Sequence, residues 1–116
     1  MTEVYGISNC DTVKKTKEWL KQKNIAYTFH DFKIEKVSTK KLEQWINKAG
    51  LEIVLNKKSA TWRKLPIEVQ AKMNKKTEAI KIMQDQTSII KRPVIEFGEE
   101  LIVGFDEIKF LKILSK

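Results

Sequence analysis

The chain switches hydrophobic period several times, and each switch marks an element. Residues 2–5 read as a strand, and from 11 to 24 the pattern becomes helical: Val13, Thr16, Trp19 and Leu20 recur on one face, while Lys14, Lys15, Lys17 and Lys21 fill the others. Asn24 reads as a terminator, and 26–32 then largely alternates as a half-buried strand, predicting a parallel β-α-β unit. Behind Ser38 as N-cap, Leu42, Trp45, Ile46 and Ala49 fall at i, i+3, i+4 and i+7 until Gly50 closes the helix. The run 51–55 fits a strand or a buried turn. Segment 56–64 has no clean period and reads as a loop or a helix start; its cations fit a solvated basic loop, with anion binding as the alternative. Pro66 suits the first turn of a helix over 67–73, and Thr77 suits the cap of another with Ala79, Ile80 and Met83 as its stripe. Two β-rich runs, 93–97 and 100–104, flank Gly98-Glu99 and predict a hairpin in which Gly98 supplies the positive φ of a type II′ turn. Asp106 then caps a last helix with Ile108, Leu111 and Leu114 on one face.

Composition bounds what these elements build. At 116 residues with 41% hydrophobic positions, a single domain spanning 1–116 with one substantial core is expected, and 33% charged residues favour solubility. The formal net charge of +8 raises nucleic acid as a partner, but the lysines are dispersed over every helix and no recognisable binding motif accompanies them. Nucleic-acid binding is therefore not the expectation. One cysteine excludes an internal disulfide, and one cysteine with one histidine gives too few ligands for a structural zinc site. No signal peptide and no bilayer-length apolar run is evident, so no membrane association and a reducing cytoplasm are expected.

The candidate chemistry centres on Gly6-Ile7-Ser8-Asn9-Cys10-Asp11, which places the cysteine where strand gives way to helix. Free N–H groups and the dipole of a first helical turn favour a thiolate, the nucleophilic form, although a free cysteine is also commonly a small buried hydrophobe. His30 is the one candidate general base for it. Its place in the strand alternation favours an ordinary edge or surface residue.

Three segments sharpen the picture. Residues 5–12 (YGISNCDT) with Lys14-Lys15, residues 55–65 (LNKKSATWRKL) and residues 90–94 (IKRPV) resemble the arsenate reductase-related family that contains the YffB and Spx branches, the YffB branch most of all. The resemblance covers 2 to about 111. It implies an α/β thioredoxin-like fold, β-α-β … β-β-α on a mixed four-stranded sheet, with a helical insertion between strands two and three lying within about 36–88. It also implies that Cys10 is the catalytic thiol, that Pro93 is the cis-proline facing it, and that Arg92 binds anions beside it. Two departures matter. Arsenate reductases of the family use three arginines, whereas here the middle one corresponds to Lys57 or Lys58, which lacks the bidentate fork, and the third is replaced near Gly104-Phe105. The Spx motif Cys-x-x-Cys also fails, because Val13 stands where a resolving cysteine would be.

The resulting expectation is a monomeric, glutathione-dependent monothiol reductase. The Cys10 thiolate, stabilised by Asn9 and the N–H groups of Asp11 and Thr12, attacks an unidentified oxidised substrate, and glutathione or another small thiol resolves the intermediate. Arg92, Lys58 and Pro93 are expected to hold glutathione or substrate, and no metal is expected. Asp11 is expected to point to solvent. The alternatives are a regulatory adaptor that binds RNA polymerase or another protein, as in the Spx branch, and residual arsenate reduction.

Overall fold

Strand β1 (Thr2–Gly6), helix α1 (Asp11–Gln22) and strand β2 (Tyr27–Asp31) realise the first β-α-β unit of the computed structural model, which describes residues 1–115. The chain falls into two compact units. One consists of Met1–Glu35 and the chain from Arg92 onward; the other is Lys36–Lys91. The first holds a four-stranded sheet of order β2-β1-β3-β4, with β3 (Val94–Phe97), β4 (Glu100–Val103) and helix α7 (Glu107–Leu114) following the second unit in sequence. β1 runs parallel to β2 and antiparallel to β3, and β3 runs antiparallel to β4. This is the thioredoxin-like arrangement that the sequence implied.

Local chemistry explains the element ends in this unit. Asn24 adopts φ 57° and Ile25 N–H reaches back to Leu20 O at 3.0 Å, the Schellman closure of α1. Gly98 takes φ 59°, and Glu99 is not among the positive-φ residues, which fits a type II′ hairpin rather than type I′. Asp106 caps α7 by accepting from Lys109 N–H. The predicted apolar face of α7 needs correction: Phe110 and Leu114 are buried, whereas Ile108 is 69% and Leu111 47% exposed. Phe110 wins the core position through its rings' contacts, 5.2 Å from Trp19 and 5.1 Å from Phe105. Val4, Leu20, Ile95 and Ile102 complete that core.

The second unit, between β2 and β3, is helical throughout: α2 (Thr39–Ala49), α3 (Leu51–Val54), α4 (Ala60–Lys64), α5 (Ile67–Ala71) and α6 (Lys76–Asp85), with 3-10 turns at Lys72–Asn74 and Thr87–Ile89. Ser38 caps α2 as its sequence position implied. The run 51–55 is neither strand nor simple turn. Its first four residues form one helical turn, and Leu55 then bridges Ile90, with Lys91 N–H on Val54 O and Asn56 N–H on Ile89 O, each at 2.7 Å. Segment 56–64 resolves into an Asx turn, Lys58 N–H on Asn56 Oδ1, and a Ser59-capped helix. Pro66 stands at the N-cap of α5 rather than inside its first turn. Thr77 lies inside α6, whose N-cap is Lys75, while Ala79, Ile80 and Met83 are buried as the stripe required. No helix among the described residues is long and apolar enough to cross a membrane.

Two features of the first unit matter to the site. A Cβ added to Gly6 would meet Val13 Cγ2 at 2.7 Å, so the first turn of α1 approaches the end of β1 more closely than any side chain permits. The second is a polar cluster on the sheet. His30 Nε2 lies 2.7 Å from Glu3 Oε1, its Nδ1 lies 3.2 Å from Glu35 Oε2, and its ring stacks on Tyr5 at 4.5 Å. Tyr5 Oη donates to Glu96 at 3.0 Å, and burial, then Glu96, pushes the phenol up so that it stays a donor. Half-burial depresses the imidazole's pKa, but the two carboxylates outweigh it and the net shift is upward. His30 thus stands on the edge strand β2, as its alternation implied, with its ring tied to Glu3 and Glu35.

Two outcomes follow. Gly6→Ala should lower unfolding free energy by about 1–3 kcal/mol, read in a denaturant titration, because buried Val13 cannot yield without disturbing the core. For His30, the raised folded pKa stabilises the fold fully below the unfolded value of 6.5 and loses that contribution as pH rises through the folded value. The difference in melting temperature between wild type and His30→Gln should therefore shrink from pH 6 toward pH 9.

Candidate functional site

The approach at Gly6 brings α1 onto the end of β1 and leaves four residues to make the connection. Cys10 N–H donates to Ile7 O at 3.2 Å, closing a turn whose central residues are Ser8 and Asn9, both exposed. Cys10 itself is the N-cap of α1, in extended conformation, and its carbonyl accepts the first helical bond from Lys14 at 3.0 Å. Its thiol is partly exposed and is the one free cysteine.

The electrostatics at the sulfur are a contest. Partial burial is the largest single influence and pushes the thiol up. Against it act the Val13 N–H, a hydrogen bond from the Arg92 side chain, the Thr12 N–H and the Arg92 charge, and together these hold Cys10 below the usual thiol value. No full side-chain cap bond forms at Cys10, so the N–H groups act on sulfur as directed dipoles. The sequence assigned this work to the N–H groups of Asp11 and Thr12. Because Cys10 is the N-cap, its side chain faces the second and third helical N–H groups, Thr12 and Val13, and Asp11 is passed over. Asp11 points to solvent and Asn9 is exposed in the turn. The Thr12 carbonyl accepts from Thr16 Oγ1 at 2.8 Å, which stiffens the same turn of helix.

Arg92 and Pro93 begin the return of the chain to the sheet. The Arg92–Pro93 bond is cis, Pro93 is buried, and its carbonyl accepts from Gly104 N–H at 2.7 Å, which joins the start of β3 to the end of β4. β3 pairs with β1 in the register Tyr5 to Val94, so the residues that precede β3 come to the end of β1 from which Cys10 departs. His30 is not among the groups acting on Cys10, since both of its ring nitrogens face carboxylates.

Lys57 and Lys58 belong to the second unit. Lys58 is exposed in the Asx turn before α4. Lys57 borders a cleft of about 240 Å³ together with Leu51, Leu55, Trp62, Gln70 and Met73, and its Nζ stands 5.7 Å from the Trp62 ring. Among the described residues no group of three or more His, Cys, Asp or Glu is placed to hold a metal ion.

Sequence reasoning missed three contributors. Val13 was read as a core residue, which it is, but its N–H also faces sulfur. Ser8 and Asp31 were given no role, yet Ser8 Oγ donates to Asp31 Oδ2 at 2.6 Å. The sequence offered no signal for this pair: the second strand was read over 26–32, with Asp31 inside it, and only the observed end of β2 at Asp31 puts loop N–H groups within reach of the carboxylate.

Comparison with known proteins places this geometry in a family. A protein of Haemophilus influenzae without an assigned function is 37% identical over 107 residues, covering 92% of this chain and 93% of its own. The solved structure of a protein named YFFB is 38% identical with a TM-score of 0.93, covering 98% of this chain and 99% of that one. The global transcriptional regulator Spx of Staphylococcus saprophyticus is 24% identical, covering 100% of this chain and 88% of its own. The ArsC family profile matches residues 5–113, and the chain, a thioredoxin-fold protein related to arsenate reductases, belongs to the ArsC family.

Proposed function

We propose that the protein is a cytoplasmic monothiol reductase in which Cys10 is the nucleophile and glutathione the co-substrate. The observation that carries this reading is the placement of the partly exposed Cys10 as N-cap of α1, where the Thr12 and Val13 N–H groups and the Arg92 guanidinium act on its sulfur and hold the thiol below its usual value against the effect of burial. Family membership supports thiol-based reduction as the class of chemistry.

In the proposed cycle the Cys10 thiolate attacks the glutathione sulfur of a substrate–glutathione mixed disulfide. The substrate sulfur leaves as a thiolate and takes a proton from solvent, and Cys10 becomes the mixed disulfide with glutathione. A second glutathione thiolate then attacks that glutathione sulfur, releasing glutathione disulfide and regenerating the Cys10 thiolate. One free glutathione thiol is consumed: the substrate–glutathione disulfide breaks, the glutathione disulfide forms, and the substrate leaves as a thiol, so bonds and electrons balance. The second thiol must come from outside, since Val13 occupies the position of an internal resolving cysteine. The Arg92 guanidinium suits a glutathione carboxylate as well as the thiolate, and the backbone at Pro93 offers pairing groups to an extended peptide-like ligand. Asn9 and Thr12 are proposed to steady the thiolate end of the site.

A second reading, a regulatory protein-binding module, is favoured by the relationship to the Spx regulator along the whole chain. In that case binding to RNA polymerase or another protein would be retained by Cys10→Ser.

Two measurements decide. Incubation with oxidised glutathione should give a single adduct on Cys10 by mass spectrometry, reversed by reduced glutathione and absent in Cys10→Ser; no adduct would sink the reductase. The midpoint of Cys10 alkylation against pH should lie below that of a free thiol, and Arg92→Ala should raise it and slow alkylation at pH 7 on the order of tenfold.

A further inference from the structure

The contact between Ser8 and Asp31 joins the end of β2 to the exposed turn that presents Cys10. Asp31 is the last residue of β2, is buried, and pairs in register with Gly6 at the end of β1. A buried carboxylate is stable only when its oxygens find donors. Here both do. Oδ1 accepts from Lys33 N–H at 2.9 Å, which fixes the carboxylate to its own turn, and Oδ2 accepts from Ser8 Oγ at 2.6 Å. The backbone reinforces the anchor: Ile34 and Glu35 N–H groups both reach Asp31 O, at 3.0 and 2.8 Å, and Phe32 N–H reaches Gly6 O at 2.8 Å.

The Ser8 hydroxyl, the Lys33 N–H, the Ser8 N–H and the charge of Lys17 on α1 hold the Asp31 carboxyl below the usual range, against the opposing effect of burial. The carboxylate is therefore ionised at neutral pH, and its short bond to Ser8 belongs to the strong, charge-assisted class. Ser8 in turn is a central residue of the turn closed by Cys10 N–H on Ile7 O. That turn sets where Cys10 sits as N-cap, and hence whether its sulfur faces the Thr12 and Val13 N–H groups.

We propose that Asp31 is a positioning residue for Cys10, acting through Ser8 as a latch on the turn that carries the thiol. The proposal rests on the reading of Cys10 as a nucleophile. It assigns a role to a buried strand residue that acts through Ser8 rather than on the sulfur itself. Without the latch, the turn loses its link to the sheet, the sulfur drifts from its N–H groups, and the thiol reverts toward ordinary behaviour.

The test is alkylation of Cys10 against pH in Ser8→Ala, a change at an exposed position that leaves the core intact. Ser8→Thr, which keeps the hydroxyl, and Asp31→Asn, which keeps an acceptor without the charge, complete the series. Ser8→Ala should raise the alkylation midpoint and slow the reaction at pH 7 on the order of tenfold, as expected when a reactive group is slightly misplaced. Ser8→Thr should restore wild-type behaviour, and Asp31→Asn should fall between. Unchanged pH profile and rate in Ser8→Ala would overturn the latch. An ordinary-thiol midpoint in the wild type would instead count against the reductase alone. In that event the latch stands or falls on hydrogen exchange at the Cys10 amide, which Ser8→Ala should accelerate at least tenfold while interior amides of α1 keep their protection.

Discussion

There is no room for a side chain at Gly6, and the geometry around Cys10 depends on that vacancy. The missing Cβ lets Val13 close on the end of β1, so the first turn of α1 begins almost on the sheet. Only a short turn then fits between strand and helix, and its last residue becomes the N-cap. A cysteine at an N-cap faces the N–H groups of the second and third helical residues whatever its neighbours are. The steric constraint thus fixes an electrostatic one. The long-range partner, Arg92, adds its charge because β3 lies beside β1.

Much of this arrangement was legible in the chain. The β-α-β unit, the hairpin with Gly98, the caps at Ser38 and Asp106, and the stripe of α6 all follow from local rules that tertiary structure did not override. Cys10 stood out because an isolated thiol at a strand-to-helix junction is a conspicuous pattern. Where the reading went astray, the competing effect is identifiable. Ile108 and Leu111 have the right spacing for a buried face, but Phe110 offers more area and ring partners, which rotates α7 by a residue or so. The run 51–55 fitted a strand or a buried turn because it is largely apolar, and it is split between one helical turn and a bridge to Ile90, a pairing that local pattern cannot reveal. Thr77 resembled a cap because threonine often is one, but α6 starts before it.

The site was legible in its charges and less so in its hydrogen bonds. Arg92 came from resemblance rather than periodicity. Asp31 and Ser8 lie on different elements, and neither carries a signal until the register of β1 with β2 is known. His30 shows the converse. As the lone histidine it invited pairing with Cys10, but the strand register gives it to Tyr5, and its nitrogens to Glu3 and Glu35.

The placement of the second unit in the sequence has a consequence for how the thiol acquires its character. Cys10 and Arg92 lie on opposite sides of Lys36–Lys91 in the chain, and only the pairing of β3 with β1 unites them. Closing so long a loop is entropically slow compared with forming α1, which is local. Only in the folded chain, with β3 paired to β1, do the N–H groups of the first turn of α1 and the Arg92 guanidinium act together on the sulfur, so the electrostatic setting of Cys10 is a property of the whole first unit and not of its local sequence.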